Sequence, residues 1–152
     1  MAVSRQEAFE HAQQFMQRSA QSTGDTFAGK IALTLTDCCA EAQTMDFTAE
    51  LTPELKNVWG VTHGGMLATI YDTCMGCTIR GFRLLERVQT VTLNFTYLRA
   101  APIDTTLYLR AKIVHSGRTL ATKGYTMEEL TAWLDGQEDR PVGLATGTFF
   151  LG

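Results

Sequence analysis

The stretch Asn57-Val58-Trp59-Gly60-Val61-Thr62-His63-Gly64-Gly65-Met66-Leu67-Ala68-Thr69-Ile70-Tyr71-Asp72 decides how this chain is read. It starts as a polar, glycine-punctuated loop and becomes an apolar run that carries one carboxylate, Asp72. A loop that enters a helix through Gly64-Gly65 leaves backbone N–H groups free at the positive end of the helix dipole. Such an end can stabilise an oxyanion, and Asp72 is a candidate base to accompany it.

The apolar run predicts a helix over 66–82, with Met66, Leu67, Ile70, Tyr71, Cys74, Cys77 and Thr78 at helical spacing and Gly81 as a stop. Apolar or small residues cover most of its circumference, so it is expected to be buried on several sides. Upstream, Ser4-Arg5-Gln6-Glu7 fits a capping box, and Phe9, Ala12, Phe15 and Met16 follow at helical spacing. This predicts an N-terminal helix within residues 1–24. Ile31, Leu33 and Leu35 alternate with polar or small residues, and Met45, Phe47 and Ala49 do so within 42–51; both segments read as strands.

Downstream, Val91, Leu93, Phe95 and Tyr97 form one alternating set and Leu107, Leu109, Ala111 and Ile113 another. A further strand is expected to begin at Thr119, and a last one to cover 142–151. Residues 127–140, with Glu128, Glu129, Asp135, Glu138 and Asp139, read as an extended acidic hairpin connection with a helical turn near 129–134. Alternation implies an antiparallel sheet with one wet face. An all-apolar helix needs cover on several sides. A strongly curved antiparallel sheet wrapped around a long central helix, an α+β arrangement, satisfies both.

At 152 residues and 45% hydrophobic, the chain is expected to be a single domain, 1–152, with a substantial core. A net charge of −3 argues against a nucleic-acid partner. No apolar run is long enough to span a bilayer, and the start Met1-Ala2-Val3-Ser4-Arg5 turns polar at once, unlike a secretory signal. A cytoplasmic location is therefore expected, with Cys38, Cys39, Cys74 and Cys77 as thiols. Cys74-Met75-Gly76-Cys77 has CxxC spacing but lies inside the apolar run, not at a helix start where the dipole would activate a thiol. It reads as two small core residues. Adjacent Cys38-Cys39 do not complete a zinc set, so no metal or other cofactor is expected.

Helix geometry constrains the opening motif. Eight residues separate Gly64 from Asp72, about 12 Å along the axis at 1.5 Å per residue. The two groups of one chain cannot serve one small reacting group. Either the motif is not a site, or two such helices run antiparallel across a two-fold axis and each site is shared between chains.

The string Asn57-x-x-Gly60-x-x-His63-Gly64-Gly65, followed by Asp72, resembles the hotdog-fold acyl-CoA thioesterases, most closely those of the phenylacetate-degradation type. The similarity continues in Thr92-Leu93-Asn94-Phe95-Thr96-Tyr97-Leu98-Arg99-Ala100-Ala101-Pro102, in His115-Ser116-Gly117-Arg118-Thr119-Leu120 and in Ala145-Thr146-Gly147-Thr148-Phe149, and covers most of 26–151. It implies a hotdog fold and sites built across a dimer interface. It further implies that Asp72 activates a water, that the Gly64 N–H binds the thioester oxygen, that Asn57 holds the water and that His63 lies near the thioester. Thr90 falls where human-type members carry a serine that assists the carboxylate, although strict alternation points Thr90 away from the Val91 face.

Each role has a structural rival. Asn57 reads equally as a turn residue, His63 as a helix cap, and Gly64 and Gly65 as residues that allow close packing. Coenzyme A is strongly anionic, so cations are expected near the mouth: Arg118 first, then Arg99 and Lys123, with Gly65 as a further substrate contact. Phe82, Leu84, Leu85 and the N-terminal helix are expected to line the acyl pocket. The expected activity is hydrolysis of an aryl- or fatty acyl-CoA to the free acid and coenzyme A by a homodimer or a homotetramer built as a dimer of dimers. The alternatives are a hotdog hydratase or dehydratase using His63 as base, and a non-catalytic acyl-CoA sensor.

Overall fold

A computed structural model describes residues 2–21, 27–117 and 124–152, the side chains of 27 and 28 aside. The N-terminal helix α1 spans Arg5–Gln21. It opens with the reciprocal capping box: the Glu7 carboxylate accepts from the Ser4 backbone N–H at 2.9 Å, and Ser4 Oγ accepts from the Glu7 N–H at 3.2 Å. A short helix α2, Phe27–Lys30, leads into strands β1, Ala32–Cys39, and β2, Thr44–Leu51. The long helix α3, Gly64–Arg83, follows, and then β3, Val88–Tyr97; β4, Thr105–Gly117; β5, Tyr125–Leu134; and β6, Gly143–Leu151.

The six strands form one antiparallel sheet in the order β1-β2-β4-β5-β6-β3. Helix α3 leaves β2 near one edge and delivers the chain to β3 at the other. It crosses the concave face, where Ile70, Tyr71, Cys74, Met75, Cys77 and Ile79 are fully buried. Against them pack the inward residues Met45, Phe47 and Ala49 of β2, Leu107, Leu109 and Ala111 of β4, and Leu130 and Ala132 of β5. Helix α1 lies on the outer side of α3, its Ala8 and Ala12 fully buried. The expected architecture of a curved sheet around a central helix is the one observed. Among the described residues, no helix is long and apolar enough to cross a membrane.

Several local expectations change. Gly81 does not stop the helix, which runs to Arg83 and closes with Leu84 in the left-handed region, φ 50°. A Cβ on Gly81 would collide with Met45 Cε and lie 2.6 Å from the Ala8 carbonyl oxygen. This glycine therefore lets α1 and α3 approach closely there. The alternation of β3 also breaks. A bulge between Thr90 and Thr92 shifts the phase, so that Val88 and Thr90 face the helix before it and Leu93 and Phe95 after it. Val91 is turned outward and 60% exposed.

The extended acidic hairpin over 127–140 shrinks to 135–142. Residues up to Leu134 belong to β5, which pairs with both β4 and β6 and contains no helical turn. Period-two burial of Thr126, Glu128, Leu130 and Ala132 drives this, with Glu128 occupying a core position despite its charge. The strand start expected at Thr119 and the helix end near 22–24 lie outside the described residues.

Candidate active site

The loop before α3 is held by its own polar groups. Asn57 Oδ1 accepts from the backbone N–H groups of Trp59 at 2.9 Å and Val61 at 3.3 Å. The Asn57 N–H donates to the Val61 carbonyl at 2.7 Å, and Gly60 takes the left-handed conformation, φ 81°, that completes the turn. Thr62 and His63 then donate to the Ala101 and Leu55 carbonyls at 2.9 and 2.7 Å, which pins the loop to the neighbouring connections. The tip projects into solvent: Val58 is 90% and Trp59 83% exposed.

His63 is the N-cap of α3, its Nδ1 accepting from the Gly65 N–H at 2.9 Å. In the neutral ring the proton therefore sits on Nε2. Met66 and Leu67 donate to the His63 carbonyl. The Gly64 carbonyl accepts from the Tyr97 hydroxyl at 2.8 Å. The Gly64 N–H has no partner among the described residues. It is the one donor of the first turn left open at the positive end of the dipole. Gly65, expected as a substrate contact, spends its N–H on His63 instead. Beside this helix end is a shallow opening bounded by Thr62, Leu67, Tyr97 and Arg99. Arg99 is tethered there by Nη1 donating to the Pro141 carbonyl at 2.6 Å.

Asp72 is half-buried on α3, two turns further on. Thr90 Oγ1 donates to Asp72 Oδ1 at 2.7 Å. The bulge in β3 makes this contact: it restores Thr90 to the helix-facing side, opposite to what strict alternation implied. Both residues line a cleft of about 230 Å³ between α1, α3 and the sheet. Leu33 of β1 and Val88 of β3 bound the same cleft, so the sheet is curved enough to bring its two edges to one opening. Phe15 and Met16 of α1 and Phe149 of β6 complete an apolar lining.

The structure thus brings Asp72 and Thr90 together in one place, and Asn57, His63, Gly64 and Arg99 around the start of α3 in another. Arg118 and Lys123 lie outside the described residues. Of the expected pocket wall only the N-terminal helix lines the Asp72 cleft. Phe82 is in the core, 3% exposed, and neither it nor Leu84 or Leu85 reaches that cleft. Two groups escaped the sequence reading. Tyr97, which holds the start of α3, carries no sequence signal beyond its place in the alternation. Arg80, in the cleft wall, falls eight residues after Asp72 on the same helix face, a spacing that could have drawn attention to it. The thiols of Cys74 and Cys77 are buried, and burial pushes Cys77 up to about 12, so neither is a nucleophile at neutral pH.

A family model described as the thioesterase superfamily matches residues 60–130, from the loop through α3 into β5. The resemblance read from the sequence is borne out over that stretch. Among solved structures, the chain is similar to the Escherichia coli PaaI protein from the phenylacetic acid degradation operon. The two are 17% identical, with 97% of this chain and 95% of that one covered at a TM-score of 0.76. It is also similar to a putative thioesterase, a phenylacetic acid degradation-related protein of Ralstonia eutropha, at 22% identity, coverage of 90% and 99%, and TM-score 0.72. A hypothetical thioesterase of Streptococcus pneumoniae, solved with coenzyme A, is 26% identical, with 80% and 86% covered and a TM-score of 0.62. No curated protein sequence matches the chain. The fold is the hotdog fold of these structures.

Proposed function

We propose that this chain is an acyl-CoA thioesterase that works as a dimer with two sites shared between subunits. The match to the thioesterase superfamily and the coenzyme A bound by the Streptococcus pneumoniae protein support the substrate class. The observation that carries the reading is the Thr90–Asp72 hydrogen bond at 2.7 Å in the wall of an apolar cleft. Thr90 orients the carboxylate through Oδ1, and Oδ2 is left to take a proton from water.

The chemistry needs few groups. The water oxygen attacks the thioester carbonyl carbon while Asp72 accepts the water's proton. Negative charge develops on the carbonyl oxygen, where the open Gly64 N–H and the helix dipole stabilise it. The C–S bond then breaks, the thiolate leaves as coenzyme A, and the proton held by Asp72 passes to it. Gly64 and Asp72 are about 12 Å apart along one helix, so the N–H comes from one subunit and the carboxylate from the other. Asn57, with Oδ1 engaged in its turn, offers its side-chain N–H groups to the water or the oxyanion. Arg99, and Arg118 and Lys123 beyond the described residues, are the cations proposed for the coenzyme A phosphates. The setting proposed is the cytoplasm, where the four thiols stay reduced.

His63 separates this reading from a hydratase. Its Nδ1 is occupied by the Gly65 N–H, which leaves Nε2 as a donor and not a base. A sensor without catalysis would have no use for an oriented carboxylate. The test is release of free thiol from a panel of aryl-, short- and long-chain acyl-CoAs, run beside Asp72→Ala. Turnover by the parent chain and its loss in the variant are expected. Binding with no thiol released would favour the sensor, and near-parental turnover by Asp72→Ala would overturn the mechanism.

A further inference from the structure

The cleft beside Asp72 contains a cation that hydrolysis does not use. Arg80 lines the same cleft from the same helix. Its guanidinium carbon stands 4.1 Å from the centre of the Phe15 ring. Nε donates to the Glu86 carbonyl and Nη2 to the Val88 carbonyl, both at 3.4 Å, beyond the usual range for N–H···O bonds. Nη1 folds back along the helix over Gly76, so close that a Cβ there would lie 2.9 Å from it.

No carboxylate among the described residues forms an ion pair with Arg80. Glu86 is the obvious candidate, since Arg80 already touches its backbone. Its carboxylate is drawn away instead by Arg18 at 3.1 Å and His11 at 3.7 Å. Apart from Asp72, the remaining cleft lining is uncharged. A partly buried guanidinium is costly without an anion, and its planar fork matches a carboxylate.

Resting on the thioesterase reading, we propose that Arg80 selects acyl groups that end in a carboxylate. Gly76 lies one turn from Asp72, about 6 Å along the axis, the reach of a dicarboxylic acyl chain of about four to six carbons. The thioester carbonyl then sits at Asp72 and Thr90, the methylenes run over Gly76 beside Met16 and Phe149, and the terminal carboxylate meets Nη1. A larger residue at position 76 would close this path.

The experiment compares kcat/KM for adipyl-CoA and hexanoyl-CoA by thiol release, in the parent chain, Arg80→Met and Arg80→Lys. The two substrates share chain length and differ in the terminal carboxylate. The parent is expected to prefer adipyl-CoA by about 10- to 100-fold, the worth of a charged hydrogen bond. Arg80→Met is expected to lose that ratio, and Arg80→Lys to keep part of it. A parent that prefers hexanoyl-CoA, or shows no preference, overturns the proposal without needing either variant to fold. So does an equal loss on both substrates in Arg80→Met, which would mark Arg80 as a structural clasp for the 84–88 turn. In both cases thiol release by the parent keeps the thioesterase reading standing. No thiol from any acyl-CoA overturns that reading, and this proposal with it.

Discussion

Two carboxylates next to the central helix meet opposite environments. Asp72 lies half-buried in the cleft wall, with one oxygen held by Thr90 and the other without a hydrogen bond among the described residues. Glu128 projects from β5 into the core, is 1% exposed, and among the described residues has no hydrogen bond to either oxygen. Burial pushes its carboxyl well above the usual range, opposed only in part by the field of Arg83. Burial alone therefore favours the protonated form of a carboxyl. A usable base needs a donor that orients it and an open side. The same residue chemistry is spent on packing in one region and, in the proposed mechanism, serves the reaction in the other.

Five substitutions probe this contrast. Asp72→Ala should lower kcat by about 100- to 10,000-fold, the usual worth of a general base, with little change in melting temperature. A similar loss in Glu128→Gln would erase the distinction between the two regions. On the core side, Gly81→Ala should cost about 2–3 kcal/mol of stability, read by urea unfolding, because its methyl meets Met45 Cε and the Ala8 carbonyl. Activity of the folded fraction should persist.

Glu128→Met should gain about 1–3 kcal/mol near pH 8 by removing an unsatisfied buried carboxyl. The sign follows from the raised folded-state value. The Glu128 carboxyl makes its full contribution to stability below the ordinary carboxyl value of 4.5, and that contribution is lost as pH rises toward the folded value. Melting curves of the parent should fall over that window, and those of Glu128→Met should lose that component. The smallest effect is expected for Thr90→Val, about a tenfold drop in kcat from loss of one orienting hydrogen bond. Unchanged kcat would mean that Asp72 needs no orientation.

The buried side of the molecule was the more legible in sequence. The alternation of Leu107, Leu109, Ala111 and Ile113 and the apolar circumference of 66–82 follow the core directly, because burial imposes the period. Gly81 misled because a glycine that ends a helix and one that lets two helices touch look alike in one chain. Glu128 misled because charge marked 127–140 as exposed, while register placed that residue inward. At the site, Asp72 and the His63-Gly64 helix start were legible from their spacing. Thr90 was legible only through the family resemblance and not from the alternation, since a bulge inverts the face to which a strand residue belongs and leaves no mark in the pattern. Arg80 and Tyr97 matter through contacts between elements distant in sequence.

The central claim is that Gly64 of one subunit serves the thioester held at Asp72 of the other. Proline at position 64 replaces the open N–H with a ring carbon, and its Cβ would meet the Tyr97 ring at 3.4 Å, an ordinary contact. The position is the first of the helix, where proline is tolerated, and His63 already has the extended conformation that must precede it, φ −63° and ψ 133°. The measurement is thiol release after co-refolding Asp72→Ala chains with Gly64→Pro chains in equal amounts. Each variant alone should be about 100-fold or more impaired. The mixture should recover about a quarter of parental activity, since half the dimers are mixed and each of these has one intact site. A mixture no more active than its two parents, with mixed dimers demonstrated by mass, would contradict the shared site.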